Sequence, residues 1–289
     1  DVDEGRFYLP DAEEGKRETI LTSVIDASPL HIMRLPGPSW LPLAAAITTG
    51  GFFVFGTYHL WTLAGTSLVA AILVICRWLW TGTAQIPEKD AKPAGLGKTL
   101  PLYSSGSESV GWWAVFITML ASQAAFWCLV FGYFFFWSIH DDFPPVAHAG
   151  PGVLWPAVAA LLTIAAWGLT VMARSLNRRD AALGFYGALG LAVLLAIAAG
   201  GALIAGPWVS GLDPEAHAYN ATVWVLVCWC VLHLFTGLIM QLYSFASRAA
   251  GRMNARHDID ISNTALFWHF TAFTCLVTVA VIAGFPLVA

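Results

Sequence analysis

The sequence predicts an all-α membrane protein with seven transmembrane helices. Its 289 residues are 58% hydrophobic and 11% charged, whereas soluble domains carry about 25% charged residues. Seven apolar runs approach or exceed the roughly 20 residues that cross about 30 Å of hydrocarbon. None alternates apolar and polar residues as a barrel strand does, so we expect helices. The runs are residues 40–58, 62–80, 111–137, 153–171, 182–205, 222–243 and 264–285.

The basic residues predict the orientation of these spans. All 14 Lys and Arg residues lie in alternate connections, and the connections between them carry acids such as Asp141 and Asp213 without a basic residue. Basic residues are retained on the inner side during insertion, and acids have little effect. We therefore expect the N-terminus inside and the C-terminus outside. The basic groups are Arg6, Lys16, Arg17 and Arg34; Arg77, Lys89, Lys92 and Lys98; Arg174, Arg178 and Arg179; and Arg248, Arg252 and Arg256.

The chain divides into four parts. Residues 1–39 are an acidic, proline-containing arm that we expect to lie as a tail on the inner membrane surface. Residues 40–80 hold two spans joined so tightly around His59 that they should form a helical hairpin. Residues 81–110 are a long inner loop, rich in Pro and Gly and expected to be irregular. Residues 111–289 hold the other five spans, which we expect to form a bundle.

Two later spans have features of their own. The run 182–205 contains five glycines, which predict close approach of a neighbouring helix. The last span follows a basic loop and a polar turn at His257 and Asp258, with Ser262 or Asn263 as the expected helix cap.

Ionisable groups inside a membrane are costly and therefore indicate function, but they are few in this chain. No Asp or Glu lies inside the seven runs, and the polar candidates in or beside them are His59, Gln123, His233, Gln241 and His269. Two haem ligands must share one depth, yet His233 and His269 should differ by roughly 10 Å at 1.5 Å per residue. We expect these histidines to bond to neighbouring helices instead.

The sequence also argues against other reactive centres. The outer connections contain His140, His148 and His217 but no cysteine, so a thiolate-copper site has no ligand set there. The five cysteines lie in or beside apolar runs, as small core residues do. No nucleophile has a supporting base and acid, and no basic soluble surface indicates nucleic acid. We expect a scaffold or accessory subunit with no catalytic or metal-binding residue.

The C-terminal part of the chain carries a pattern that is found in a known family. His233 is followed four residues later by Gly237, and the last span opens with Phe267 before Trp268, His269 and Phe270. This pattern resembles subunit III of the haem–copper cytochrome c oxidases, which has seven spans divided two plus five. Residues 17–24 look like the segment joining subunits I and III in bacterial oxidases where both are one polypeptide, which would suit a chain cut from such a fusion.

The resemblance implies an accessory role in proton-pumping oxygen reduction by a respiratory enzyme of the bacterial inner membrane. Haem and copper belong to subunits I and II of that complex, and subunit III has no redox centre. It packs on subunit I, holds phospholipid in a cleft between its two-helix and five-helix groups, and supports proton uptake and stability during turnover. Many relatives carry a Glu where this chain has Gln123. The lipid or helix-packing candidates are Gln123, His233, Gly237, Trp268, His269, Arg77, Arg174, Arg178 and Arg256.

Two other interpretations remain at this point. The chain could be the accessory subunit of a quinol oxidase or of a nitric oxide reductase, which would share the fold but have a different partner. It could instead be an unrelated seven-span transporter or receptor. The lack of buried acids in the runs and of broken helices counts against transport.

Overall fold

A computed structural model describes residues 18–35, 37–81, 86, 89–95, 97–145 and 150–288. Within these residues there are seven α-helices and two pairs of short strands, and each predicted apolar run forms one helix. The chain divides into two compact units, Asp1–Ser104 and Ser105–Ala289, which we call the N-terminal unit and the C-terminal unit. Four residues named above lie outside the described residues, namely Arg6, Lys16, Arg17 and His148.

The N-terminal unit contains the first two helices, α1 (Leu41–Thr57) and α2 (Trp61–Thr81). Helix α1 ends because His59 takes a left-handed conformation with φ of 57°, and Leu60 N–H then donates to Phe55 O over 2.9 Å. The connection is therefore a tight turn, and α1 and α2 pack against each other as a helical hairpin.

The N-terminal unit contains four strands, two in the arm and two in the loop, and the strands in the loop correct the expectation that it is irregular. The four strands are β1 (Glu18–Thr22), paired antiparallel with β2 (Pro29–Arg34), and β3 (Ala91–Gly95), paired antiparallel with β4 (Lys98–Pro101). The β-branched Thr and Ile residues of β1 and β2 favour extended backbone. Three apolar side chains from the arm and the loop bury one another, which a search for long apolar runs does not detect; they are Ile32, Leu100 and Leu102.

The C-terminal unit is a bundle of five helices. Ser109 caps α3, because its Oγ accepts a hydrogen bond from Gly111 N–H over 3.2 Å. His217 caps α6 in the same way, through Nδ1 and the N–H of Tyr219 at 3.0 Å. The helices are α3 (Val110–Ile139), α4 (Leu154–Arg178), α5 (Ala182–Val209), α6 (Ala218–Ala249) and α7 (Ile259–Val279), which continues as a π-helical turn, Ala280–Gly284.

Alanines and one of the five predicted glycines bring α4 and α5 together, since a Cβ atom added to Gly184 would lie 3.3 Å from Leu176 of α4. Ala188, Ala192 and Ala196 of α5 are buried. At the other four predicted glycines an added Cβ atom would meet nothing within 4 Å, so the predicted close approach occurs at Gly184 and not at these four. Since α-helical faces repeat every three to four residues, the alanine face turned inward leaves most of the glycines on another face.

Helix α7 begins five residues earlier than its apolar run, at Ile259. Its cap position is Asp258, so the expectation of a cap at Ser262 or Asn263 is wrong. The polar first turn is held inside the bundle by contacts that hydropathy does not reveal. One consequence is that Asp260 lies inside the helix and hydrogen bonds to Ser247 Oγ over 2.7 Å.

In the described part of the chain, six helices are long and apolar enough to cross a membrane, namely α2 to α7. Helix α1 is apolar but has 17 residues, about 25 Å at 1.5 Å per residue. The protein is therefore a multi-pass helical membrane protein.

Candidate functional site

Three side-chain pairs join α4 to α7 along one line, which we call the α4–α7 seam. In each pair, a nitrogen atom of α4 donates a hydrogen bond to α7 or to its cap residue. The pairs are Arg178 Nε with Asp258 Oδ2 at 2.8 Å, Arg174 Nε with Ser262 Oγ at 3.1 Å, and Trp167 Nε1 with His269 Nδ1 at 2.8 Å.

One antiparallel register accounts for all three pairs. Along the seam, the residue number falls by four and then by seven on α4, and it rises by the same steps on α7. Residues four or seven apart lie on one helix face, so these two faces stay in contact over three turns. The resemblance had indicated Arg174, Arg178 and His269, whereas their partners depend on this register.

A pocket of about 430 Å³ opens beside the first pair, at the end of the C-terminal unit where α4 and α6 finish and α7 begins. We call this end the basic end. Two arginines and one carboxylate line the pocket, so its walls carry one net positive charge. Guanidinium groups bind phosphate and carboxylate through paired hydrogen bonds, so the pocket can hold an anionic group. Its lining residues are Ser105, Gly106, Arg178, Ala255, Arg256 and Asp258.

Asp258 is the anchor of this end. Its side chain is 4% exposed, and it accepts hydrogen bonds from Ser105 Oγ, Arg178 Nε and Ser262 Oγ. Burial alone would raise the pKa of Asp258, but the three hydrogen bonds and the Arg178 charge together bring its pKa below the ordinary value. Asp258 is therefore ionised at neutral pH and holds the Arg178 guanidinium at the mouth of the pocket.

A second row of buried polar contacts joins α6 to its neighbours. Gln241, Ser244 and Ser247 are spaced by three, which places them on one face of α6. This spacing was the available signal, but sequence reasoning had singled out Gln241 alone. The pairs are Gln241 Nε2 with Thr170 Oγ1 at 2.8 Å, Ser244 Oγ with Thr264 Oγ1 at 2.9 Å, and Ser247 Oγ with Asp260 Oδ2 at 2.7 Å.

Gly237 of α6 and Trp268 of α7 are in close contact. Trp268 is fully buried, and its Nε1 donates to Gly237 O over 3.3 Å. A Cβ atom at position 237 would lie 3.0 Å from Trp268 Nε1, tighter than an ordinary van der Waals contact. Position 237 therefore needs glycine because the indole occupies the space of a side chain.

The two membrane histidines differ in their surroundings. His233 is buried, its Nδ1 donates to Trp229 O within α6 over 2.7 Å, and its ring packs against Phe270. His269 is exposed and bonds to α4 through Trp167. The expected bond to a neighbouring helix is therefore present for His269, whereas Nδ1 of His233 bonds to its own helix.

The remaining candidates are Gln123, Arg77 and Arg256. Gln123 lies on α3, and its buried Nε2 atom has no hydrogen-bond partner within the described part of the chain. Arg77 is exposed near the end of α2, in the N-terminal unit. Arg256 lines the pocket at the basic end. The α4–α7 seam contains three of the predicted residues, namely Arg174, Arg178 and His269.

The metal-binding potential of the chain depends on its His, Cys, Asp and Glu side chains. Among the described residues, no three His, Cys, Asp or Glu side chains converge on one point. All five cysteines are free; Cys228 is exposed and Cys230 is buried, as their opposite faces on α6 predict. The arrangement can therefore bind an anion and brace helices through its polar pairs.

No protein-family model matches this chain, and no curated protein matches its sequence. The fold and the seam define a multi-pass helical membrane protein whose C-terminal bundle is braced by polar pairs.

Proposed function

We propose that this chain is subunit III of a respiratory haem–copper cytochrome c oxidase, a non-redox accessory subunit. In this role it packs on subunit I, holds phospholipid, and supports proton uptake and stability during turnover. Haem and copper belong to subunits I and II. The complex lies in a bacterial inner membrane, where this chain has seven spans with its N-terminus inside.

The observation that carries the proposal is that the residues on which the resemblance rests make contacts between helices. Gly237 and Trp268 fit together between α6 and α7, and His269 bonds to Trp167 of α4. These contacts join helices, which is the use expected of a scaffold whose partners perform the chemistry. Such contacts are needed because lipid removes the hydrophobic drive for helix association, leaving packing and interhelical hydrogen bonds.

The length of α1 is compatible with a seventh span. Trp40, Tyr58 and Trp61 lie at the ends of α1 and at the start of α2, and all three are exposed. Tryptophan and tyrosine at such positions prefer the headgroup region, and a short span is accommodated by local thinning of the bilayer at modest cost. Single cysteines placed at Ser39 and at Leu60, on either side of α1, should react with an impermeant thiol reagent from opposite sides of the membrane. Labelling from the same side would reject the proposed topology.

The pocket at the basic end supports lipid binding. Arg178 and Arg256 line it, and guanidinium groups bind phosphate through paired hydrogen bonds. Arg174 and Arg77 are further candidates for contacts with headgroups. The purified Arg256→Ala variant should retain less phospholipid by mass spectrometry than the Arg179→Ala variant, because Arg179 does not line the pocket. Equal lipid content in the two variants would reject the pocket as a lipid site.

Purification of the intact complex tests the main proposal. An affinity tag on this chain should recover, in mild detergent, a complex with copper and the absorption bands of a-type haem. Selective removal of the chain should leave those bands intact while activity decays progressively during turnover. Loss of a haem or copper signal on removal would contradict a non-redox role. Recovery of a haem–copper complex without a-type haem would favour the quinol oxidase or nitric oxide reductase alternative, and a colourless monomer would favour a transporter.

A further inference from the structure

Helix α7 exposes a polar and aromatic face between α3 and α4, which we call the His269 face. Trp127 of α3 and Phe273 of α7 are each about half exposed, and their ring centroids lie 6.4 Å apart. His269 is exposed one turn before Phe273, and Trp167 lies beside it on α4. The face therefore consists of Trp127, Trp167, His269 and Phe273.

The hydrogen bond from Trp167 determines which proton His269 carries. Trp167 Nε1 donates to Nδ1 of His269, so Nδ1 has no hydrogen, and the neutral imidazole carries its hydrogen on Nε2. No residue in the described part of the chain accepts a hydrogen bond from that N–H. His269 thus presents a fixed hydrogen-bond donor on the surface of the bundle.

The depth of this donor restricts what can satisfy it. The span that begins at Ile259 has 29 residues, about 43 Å, which exceeds the hydrocarbon layer by roughly 7 Å at each end. His269 lies ten residues after Ile259, about 15 Å along the helix, and so about 8 Å inside the hydrocarbon. Lipid carbonyls and phosphates lie nearer the interface, and lipid tails have no acceptor.

We infer that the His269 face is a docking surface for a transmembrane helix of another subunit, which offers a hydrogen-bond acceptor to Nε2. A polar group exposed to hydrocarbon is costly, and a partner acceptor at the same depth removes that cost. Arg174 and Arg178 place two positive charges on the adjoining seam, of which Asp258 neutralises one, so an acceptor-rich helix complements this surface.

The composition of the face is typical of a protein interface. Tryptophan and arginine are enriched among the residues that dominate binding energy, and two tryptophans flank His269. The inference rests on the proposed function for the identity of the partner, which is then subunit I. The face itself requires only that some membrane subunit docks on it.

Photo-crosslinking in native membranes tests the inference. Benzoylphenylalanine replaces Phe273 in one variant and Phe235 of α6 in a matched control; both are exposed aromatics near the middle of their helices. Position 273 should capture a second membrane polypeptide, whereas position 235 should capture lipid. Adding His269→Ala should lower the yield from position 273 about threefold to tenfold, and His269→Gln should largely restore it, because the amide donates a hydrogen bond.

The outcomes separate this inference from the proposed function. Capture of a haem- and copper-binding subunit supports both. Capture of a different membrane protein supports the docking face and overturns the proposed function. Capture of lipid alone, capture of α1 or α2 of the same chain, or equal yields at 273 and 235 overturns the docking face. A complex that still contains a-type haem would leave the proposed function standing in those cases.

Discussion

Replacing Gly237 by alanine should destabilise the bundle by about 2 kcal/mol. The new Cβ atom would lie 3.0 Å from Trp268 Nε1 and 3.1 Å from Cε2, and Trp268 is fully buried. Overpacking of this kind costs about 1–3 kcal/mol, and weakening the Trp268 bond to Gly237 O costs up to about 1 kcal/mol more. The helix propensity of alanine offsets about 1 kcal/mol.

The matched substitution is Gly168→Ala in α4, where a Cβ atom meets nothing within 4 Å. It should be neutral or stabilising, because the gain in helix propensity is then unopposed. Unfolding of both variants in detergent micelles, followed by circular dichroism during SDS titration, measures the difference. Equal stability of the two variants would refute the packing argument.

A double-mutant cycle locates the effect at the indole. Trp268→Phe removes the ring atoms nearest to position 237, so Gly237→Ala should cost less in that background. A coupling free energy of about 1–2 kcal/mol is expected for residues in such contact. Additive effects would mean that the cost of alanine arises elsewhere in α6.

Three further predictions concern polar groups. Because its pKa is lowered, Asp258 stabilises the fold at pH values above the ordinary aspartate pKa, and this contribution is lost as the pH falls through the lowered pKa. The Asp258→Asn substitution should therefore weaken the dependence of Tm on acid pH. An unchanged profile of Tm against pH would contradict this. Thr170→Val should cost about 0.6–1.7 kcal/mol through the lost Gln241 bond, unlike Thr236→Val, whose hydroxyl is exposed. Glu18→Gln should lower the Tm of the N-terminal unit, because it weakens the ion pair between Glu18 and Lys92. This decrease should be smaller than the decrease caused by 1 M NaCl if other surface charges also stabilise the unit, because salt screens all of them.

Local sequence properties predicted most of the helical fold. Seven apolar runs became seven helices because length and hydropathy are properties of a continuous segment. The predicted helix boundaries were wrong where residues distant in the chain hold a polar turn in place. Helix α7 begins at Ile259 because Asp258 binds Ser105 and Arg178, which are distant from it in the chain. The small strands were not predicted for the same reason, since Ile32 is buried by Leu100 from a separate loop.

The candidate site divides in the same way. Gly237, Trp268 and His269 were found because they form a local pattern, and Arg174 and Arg178 because basic residues mark alternate connections. Their pairing with Trp167, Ser262 and Asp258 could not be predicted: Trp167 carries no distinguishing local pattern, and Asp258 and Ser262 were noted only as a turn residue and a possible cap. Of the five glycines in α5 that indicated a packing face, Gly184 alone lies against α4, and buried alanines form the rest of that face, because composition does not show which face turns inward.

The sequence by itself therefore determined the class of protein, the positions of its helices and the chemistry available in each span. The tertiary structure decided which faces meet, and so which polar groups are paired and which donor remains exposed at His269. The physical reason is that hydropathy records how much apolar surface a segment has. The rotation and register of two packed helices depend on side-chain shapes and hydrogen bonds between residues far apart in the chain.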